Sequence, residues 1–407
     1  MQKTGIRRAY YAAGFIIAGA AIFLSGLLWS HFSSKNVYDA PQLVTGLGIL
    51  AVIYGIVRLI QMKMQKTMDC VVVIDRDTVK EFFTDNAIIL ALLAMVIIIC
   101  LIEPKFVQGR VLLDILTQSS TRLITALGIS MTLLIGGTDL SAGRMIGLAA
   151  VVATSMLQTT TYGNPFYPGL PEKNISFLIP IAIAALACLI FGLLNGVLVA
   201  RFKLHPFIAT LAVQVMIYGI CSLYFDMSPN NSQPIGGVRP DFAALGQIKL
   251  FDKLSILVPI AAVVCFAVWF LLNKTTFGKN IYALGGSKEA ATVSGVNVRG
   301  TIIVVFVLAA FCYAASGILE SAKTAGATNN YGNGYELDAI AACVVGGVSL
   351  TGGIGKVSGI VTGVLIFTVI QYGLQFVNVS PLWQQVIKGI IIAIAVALDM
   401  SKNSATD

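Results

Sequence analysis

The stretch Thr275–Val298, TTFGKNIYALGGSKEAATVSGVNV, is a polar, glycine-rich and basic interruption of an apolar sequence. The apolar runs on either side, Leu254–Asn273 and Thr301–Ser321, are each long enough to cross a bilayer, which takes about 20 residues. One acid, Glu289, accompanies the basic residues of the stretch and its edges, which are Lys274, Lys279, Lys288 and Arg299. Because basic residues concentrate on the cytoplasmic side of membrane proteins, we predict that the segment lies in the cytoplasm.

A short helix is predicted inside this stretch. Ser287 is a favourable N-cap for a helix over residues 288–294, and Gly295 is a suitable stop. A capped helix held at the membrane by two spans indicates a docking surface for another protein. The alternative is an ordinary solvated loop, which is the more common role of such segments.

The composition indicates a polytopic, all-α membrane protein. Apolar residues make up 57% of the 407 residues and charged residues 11%, and the mean hydropathy is +0.85. Soluble domains carry about 25% charged residues. The net charge of +8 suits loops beside anionic lipid. No basic segment is interleaved with aromatic residues, so a nucleic-acid partner is not expected.

The sequence indicates neither a metal site nor a catalytic site. Its two histidines, His31 and His205, are far apart, and its seven cysteines show no metal-ligand spacing. The phosphate-binding motif G-x-x-x-x-G-K-[ST] does not occur. If the protein uses ATP, we therefore expect the hydrolysis to take place on a separate protein.

The hydropathy pattern predicts about twelve spans, with the N- and C-termini in the cytoplasm. Most of the 27 basic residues, Arg144 among them, then fall on the cytoplasmic side. The short segment Asp338–Leu350 is alternatively re-entrant. The predicted spans are Tyr11–Ser30, Gln42–Ile60, Ala87–Leu101, Leu112–Gly136, Met145–Thr160, Phe177–Ala200, Pro206–Phe225, Leu254–Asn273, Thr301–Ser321, Asp338–Leu350, Val357–Phe376 and Leu382–Asp399.

Two glycine-rich segments resemble each other. Gly136–Gly143 reads GGTDLSAG and Gly346–Gly353 reads GGVSLTGG, and each falls between two predicted spans. Transporters place such breaks at membrane depth where substrate passes. The alternative is a pair of tight turns at the cytoplasmic ends of two hairpins. Asp139 or the nearer Ser141 is expected to cap the helix that follows.

Small residues also recur at helix-contact spacing, in Gly192–Gly196 and Gly359–Gly363. This spacing allows two helices to approach closely in lipid. It is consistent with packing inside one chain or with a seam between two copies of the chain.

These motifs together resemble a known family, the permease subunits of binding-protein-dependent ABC importers for monosaccharides. The resemblance rests on the glycine and alanine pattern of the 275–298 segment, on Gly136–Arg144 and on Tyr335–Gly347, and it extends from about Ile88 to Asp399. Gly136–Arg144 and Thr328–Asn330 look most like the galactose/methyl-galactoside branch, whereas ribose and xylose permeases share the framework. The family's coupling-loop pattern is carried here by Gly278, Gly285, Gly286, Ala290, Ala291 and Gly295.

The resemblance implies the organisation and the partners of the chain. It implies a permease core of about ten spans (residues 87–400) with a cytoplasmic coupling loop (275–298), preceded by a two-helix hairpin (1–62) and a linker (63–86) and followed by a tail (401–407). It also implies a bacterial cytoplasmic membrane, a second permease copy, a periplasmic sugar-binding protein and a separate ATPase that binds ATP and magnesium. This chain itself would hold no cofactor.

Candidate transport residues are polar groups in or near the apolar spans. Neutral polar and aromatic side chains can bind an uncharged sugar through hydrogen bonds and ring stacking. Each such side chain more often forms a hydrogen bond between helices. Charged residues around the Thr324–Gly334 loop, predicted on the outer side, are candidates for contact with the binding protein, and these are Glu320, Lys323, Glu336 and Asp338. The candidates for the translocation path are Asp139, Ser141, Asn195, Gln214, Tyr218, Gln371, Tyr372 and Gln375.

An ion-coupled secondary transporter is the main rival interpretation. It requires titratable groups deep within the spans, whereas the carboxylates here lie mostly at predicted span ends. An intramembrane enzyme is a weaker rival, because paired catalytic groups are not found.

Overall fold

The computed structural model describes residues 87–159, 162–163, 165–170 and 176–404. The predicted N-terminal hairpin (1–62), the linker (63–86) and the last three residues of the predicted tail lie outside the described residues. The predictions for those segments therefore stay predictions.

The described chain is mostly α-helical, as the composition predicts. Its other regular elements are a 3₁₀ turn, Pro104–Val107, and two antiparallel two-residue strands, β1 (Lys249–Leu250) and β2 (Leu254–Ser255). The α-helices are α1 (Ala87–Ile102), α2 (Gly109–Leu134), α3 (Ala142–Ser155), α4 (Leu178–Ala200), α5 (Pro206–Asp226), α6 (Pro240–Gln247), α7 (Leu257–Lys274), α8 (Thr276–Gly286), α9 (Lys288–Val293), α10 (Val298–Thr324), α11 (Tyr335–Val345), α12 (Val357–Phe376) and α13 (Pro381–Ser404).

Among the described helices, five are long and apolar enough to cross a membrane: α4, α5, α7, α10 and α12. Two helices that coincide with predicted spans are much shorter. Helix α3 has 14 residues and α11 has 11, which correspond to lengths of about 21 and 16 Å. Neither length covers the hydrocarbon core of a bilayer, which is about 30 Å thick. The full spans predicted over Met145–Thr160 and Asp338–Leu350 are thus replaced by shorter helices that begin or end at irregular backbone.

The described chain divides into two compact units. The smaller unit contains residues 87–112 and Tyr372–Ser380. In this unit, the Phe106 ring packs edge-on against Phe376, with 5.6 Å between ring centroids, and Tyr372 stacks on the same Phe376.

The larger unit, Leu113–Gln371 with the chain from Pro381 onward, is organised around α3. Nearly every side chain of α3 is buried, the exceptions being Arg144 and Val152. Helices α4, α5, α10 and α11 pack around it. A helix that is apolar on all sides is stable only when it is surrounded, and this explains why so short a helix holds the centre of the unit.

The predicted small-residue contacts occur within one chain. A Cβ atom added at Gly192 would meet the Cβ of Ala310 at 2.5 Å, and one added at Gly196 would meet the Cα of Ile303 at 2.8 Å, so α4 and α10 approach through these glycines. Gly363 likewise lies against the backbone of Ala342, which brings α12 close to α11. The glycines of Gly192–Gly196 and Gly359–Gly363 thus pack against helices of the same chain, which is the first of the two alternatives given above.

We predict that Gly196→Leu destabilises the protein and that Gly219→Leu does not. The added side chain at Gly196 would overlap the α10 backbone, and overpacking of this kind costs about 1–3 kcal/mol. A Cβ at Gly219, on α5, has open space around it. The thermal midpoint of the detergent-solubilised protein measures the difference. Equal midpoints for the two variants would contradict the α4–α10 contact.

Candidate coupling and translocation site

The polar segment that follows α7 consists of two capped helices, α8 and α9. The Thr275 hydroxyl accepts a 3.1 Å hydrogen bond from the Gly278 amide at the start of α8. The Ser287 hydroxyl accepts one of the same length from the Ala290 amide at the start of α9. Gly295 follows with a φ of +82°, a conformation that suits glycine. The predicted cap and stop of the short helix are therefore confirmed.

The prediction missed α8, which occupies residues treated as loop. Its apolar residues Phe277, Ile281 and Leu284 recur at helical spacing, so the signal was present in the sequence. Ile281 and Leu284 are buried. Leu284 belongs to an apolar cluster with Val199, Ala200, Ala209, Ile302 and Phe306.

Tyr282 adds a polar anchor to α8. Its hydroxyl donates a 3.0 Å hydrogen bond to the Gly355 carbonyl, in the segment before α12. Burial raises the pKa of Tyr282, so the phenol keeps the proton that this bond requires at neutral pH.

The end of α8 lies against both of the glycine-rich segments that the sequence analysis paired. We call this contact the glycine junction, formed by Leu134, Gly136, Gly285, Gly352 and Gly353. The Gly353 amide donates a 2.9 Å hydrogen bond to the Leu134 carbonyl. A Cβ at Gly285 would collide with that carbonyl and with the Gly353 nitrogen, and a Cβ at Gly352 would lie 2.8 Å from the Gly136 nitrogen. Glycine at positions 285 and 352 lets the three backbones meet this closely, because neither residue has a Cβ atom.

Among the remaining coupling candidates, Gly286, Ala290 and Gly295 are exposed, whereas Gly278 and Ala291 are buried. A Cβ added at Gly286 meets no atom within 4 Å. In α9, Ala291 is buried, whereas Ala290 is exposed and Val293 is 90% exposed. This helix therefore presents small and apolar side chains on a surface that is otherwise polar.

The segment between α2 and α3 is irregular and buried. Gly136 has a φ of +72°, and Asp139 and Ser141 are completely buried. Asp139 Oδ1 accepts hydrogen bonds from the Ser141 amide (2.9 Å) and hydroxyl (2.6 Å). Ser141 is the N-cap residue of α3, but its side chain makes no capping hydrogen bond. The predicted capping role is therefore wrong, because the Ser141 hydroxyl is used to bind Asp139.

Two neighbouring helices hold this segment in place. On α4, the Asn195 amide donates to the Ser141 hydroxyl at 2.8 Å. On α5, the Thr210 hydroxyl donates to the Thr138 carbonyl and accepts from the Leu140 amide, both at 3.1 Å. Three predicted path residues, Asp139, Ser141 and Asn195, are thus one hydrogen-bonded cluster.

The other predicted path residues are placed separately. Gln214 is half-buried on α5, one turn before Tyr218, which is exposed. Gln371 donates a 2.9 Å hydrogen bond to Asp338, so it joins two helices. Tyr372 and Gln375 belong to the smaller unit, where Tyr372 is half-buried and Gln375 is exposed.

The four charged candidates are largely occupied within the chain. Glu320 is buried, accepts a hydrogen bond from Thr121 and forms an ion pair with Lys323 at 2.7 Å. Asp338 forms an ion pair with Lys388 at 2.9 Å. Glu336 is also buried. Neither Glu320 nor Glu336 presents its carboxylate at the surface of the chain, which argues against these two as contacts for a binding protein.

Comparison with known proteins identifies the family. The model of the family described as "branched-chain amino acid transport system / permease component" matches residues 111–396. The chain belongs to this permease family. It is a multi-pass protein of the bacterial cytoplasmic membrane, and a permease of this family is not a catalytic subunit.

Curated relatives give a finer comparison. The permease is 46% identical to the galactose/methyl galactoside import permease protein MglC of Haemophilus influenzae, over 79% of this chain and 96% of the relative. It is also 46% identical to MglC of Escherichia coli, over 79% of this chain and 97% of the relative. The ribose import permease protein RbsC of Escherichia coli is 33% identical, over 79% and 96% of the two chains. No solved structure matches the permease.

The permease also contains a polar cluster that the sequence analysis missed. Arg144, counted there as cytoplasmic, donates hydrogen bonds to Asn330 (3.3 Å) and Asn333 (2.9 Å) in the loop that was placed on the outer side. Because these residues are hydrogen-bonded, the cytoplasmic placement of Arg144 and the outer placement of the loop cannot both be correct. The sequence-based placement of Arg144 assumed a surface turn before α3, whereas that segment is buried and α3 begins inside the protein. Thr328–Asn330 served above only as a point of resemblance to one branch of the family, and no feature of the sequence predicts that Asn330 contacts Arg144.

We predict that Asp139→Ala destabilises the permease by at least about 2 kcal/mol. The substitution leaves the buried amide and hydroxyl of Ser141 without their acceptor, and each unsatisfied buried group costs about 1–3 kcal/mol. Asp226→Ala is the matched control, because Asp226 accepts from the Ser232 hydroxyl at an exposed site. It should change stability by less than about 0.5 kcal/mol. Thermal unfolding in detergent compares the two, and a similar effect from both would contradict the buried network.

Proposed function

We propose that the permease is the membrane-spanning subunit of an ATP-driven importer that carries a monosaccharide of the galactose, methyl-galactoside or glucose class into the cytoplasm. The observation that carries this proposal is the 46% identity to two MglC permeases across 96% and 97% of their lengths. A ribose- or xylose-type substrate is the second candidate, and the lower identity of 33% to RbsC makes it the weaker one.

The proposed organisation follows the predicted one. A core of about ten spans would occupy residues 87–400, with a hairpin (1–62) and a linker (63–86) before it, a tail (401–407) after it, and both termini in the cytoplasm. The family match over residues 111–396 supports the position of the core. The matches cover 96% and 97% of the two relatives but only 79% of this chain. This difference supports a segment in this protein that the relatives lack.

The proposed partners are an ATPase that binds ATP and magnesium, a periplasmic sugar-binding protein and a second copy of the permease. We place the ATPase against α8 and α9, on the cytoplasmic side. The exposed Ala290 and Val293 support this placement, because an apolar residue that is 90% exposed on a polar helix gains stability when a partner covers it.

The glycine junction is the proposed link between the ATPase and the transport path. Through Gly285, helix α8 contacts the backbone at the end of α2, at Leu134, and at Gly353 of the second irregular segment, and neither contact contains a flexible side chain. A displacement of α8 therefore has to move Leu134 and Gly353 or break the bond between them. Close-packed contacts of this kind transmit displacements rather than absorb them.

We propose that the buried cluster of Asp139, Ser141 and Asn195 positions the wall of this path beside α3. Ion-coupled transport is the competing mechanism, since Asp139 is one buried carboxylate near membrane depth. A relay requires several titratable groups in sequence, whereas Asp139 Oδ1 is bound here by the hydroxyl and the backbone amide of Ser141.

We predict that galactose uptake by the reconstituted complex requires ATP and persists after the proton gradient is collapsed. The measurement is accumulation of radiolabelled galactose in proteoliposomes that contain the permease and its ATPase, with the loaded binding protein outside. Added protonophore should leave the rate unchanged. Uptake driven by a pH gradient without nucleotide would overturn the proposal.

We also predict that Gly285→Ala uncouples the complex, whereas Gly286→Ala does not. The methyl group at Gly285 collides with the Leu134 carbonyl and the Gly353 nitrogen, while the one at Gly286 enters open space. The clash corresponds to about 1–3 kcal/mol, so uptake should fall about tenfold.

The readouts are uptake and the stimulation of ATP hydrolysis by the loaded binding protein. In the Gly285→Ala complex both should fall, and in Gly286→Ala both should stay near wild type. Copurification of the ATPase with each variant shows that assembly is intact. A fully coupled Gly285→Ala complex would show that the glycine junction does not transmit the movement.

A further inference from the structure

An arginine side chain lies beside the middle of a membrane-length helix. Tyr218 is twelve residues beyond Pro206 in α5, so it lies about 18 Å along a helix of 21 residues and about 32 Å. The guanidinium carbon of Arg144 is 4.3 Å from the centroid of the Tyr218 ring. The positive charge is therefore close to the centre of a span, where charged groups are costly and usually functional.

The guanidinium group of Arg144 has polar and aromatic partners within the protein. Its guanidinium group lies over the Tyr218 ring and donates to the amide oxygens of Asn330 and Asn333. Those bonds use two of its five N–H donors. No carboxylate of the described residues lies within ion-pair distance of Arg144.

The position of the two asparagines is fixed by close backbone packing. A Cβ at Gly147 of α3 would collide with the Tyr331 carbonyl, and a Cβ at Gly332 would collide with the Gly143 carbonyl. Gly332 also has a φ of +76°, which favours glycine. The loop before α11 is thus held against the first turns of α3, which places Asn330 and Asn333 beside Arg144.

The exposed part of this arrangement has the chemistry of a site for a neutral polyhydroxyl ligand. Asn330, Asn333 and Tyr218 are exposed, and space beside Gly219 is open. Amide groups offer donors and acceptors to hydroxyls, and an aromatic ring offers an apolar face. The buried Glu336 carboxyl also interacts electrostatically with Arg144.

We propose that Arg144, Tyr218, Asn330 and Asn333 form a sugar-contact site on the translocation path, within the membrane. This inference rests on the proposed function, since it names where the transported monosaccharide meets the permease. The site contacts sugar hydroxyls through the two amides and the guanidinium, with Tyr218 as the flat face. It therefore contributes to discrimination between sugars after the binding protein has released its ligand.

The first test compares two sugars in one assay. Reconstituted complexes that carry Asn330→Ala, Asn333→Ala or Arg144→Lys are supplied with a binding protein loaded with galactose or with methyl galactoside. Galactose and methyl galactoside differ only at the anomeric oxygen, so loss of a hydrogen bond to that oxygen should change the ratio of the two uptake rates by about fivefold, whereas loss of one to a shared hydroxyl should lower both rates by about that factor. Asn273→Ala, an exposed asparagine that bonds only to the Trp269 carbonyl in its own helix, is the control and should keep the wild-type ratio.

The outcomes separate the two proposals. A changed ratio, or a fall in both uptake rates of a variant that keeps the wild-type stimulation of ATP hydrolysis by the loaded binding protein, supports the site, and wild-type rates with a wild-type ratio in all three variants overturn it. If the wild-type complex transports neither sugar, the proposed function fails instead.

The second test needs no transport and no destabilising change. In Asn330→Cys, an aqueous path predicts labelling by a charged, membrane-impermeant thiol reagent at least about tenfold faster than in the wild-type protein, whose cysteines in the described chain are mostly buried. Absence of labelling would show that the cluster faces lipid or protein and would overturn the proposal. A disulfide between two copies at this position would likewise overturn it, by showing that the surface is an interface.

Discussion

Irregular backbone inside a membrane must have its polar groups bound within the protein, and the rest of this permease depends on that constraint. The segment from Gly137 to Ser141 meets it through side chains from three directions. Thr210 binds the backbone at Thr138 and Leu140, Asp139 binds the Ser141 amide, and Asn195 binds the Ser141 hydroxyl. The buried short helix α3 can begin where it does because this segment is satisfied before the helix starts.

The glycines follow from the same constraint. Backbones that pack directly against each other leave no room for a Cβ atom at the point of contact. The bond between Gly353 and Leu134 forms beneath Gly285 for this reason, and the contact between Gly143 and Gly332 has the same character. The end of α8 therefore contacts the core at Gly353, in the second glycine-rich segment, and at Leu134, just before the first.

The sequence predicted the elements that depend on local chemistry and missed those that depend on distant contacts. Long apolar runs specify α4, α5 and α10, and the spacing of Ser287 and Gly295 specifies the ends of α9. By contrast, Gly285 and Gly286 are equivalent in sequence, and only the position of the Leu134 carbonyl distinguishes them. Arg144 was misplaced for a similar reason: a basic residue after a glycine pair resembles a surface turn until the burial of Asp139 is known.

The proposed coupling contact and the proposed sugar-contact site are close together along the chain. The backbone at Gly136 contacts the segment on which α8 rests, and Arg144 lies eight residues later, after a stretch whose polar groups are bound at nearly every step. A displacement at Gly136 cannot be taken up by loose side chains in between, because Asp139 and Ser141 are fully buried and joined to α4. It must therefore reach α3 or break that network. If α8 is displaced as proposed, this arrangement gives a physical reason why the movement would alter the environment of Arg144 and of a sugar bound beside it.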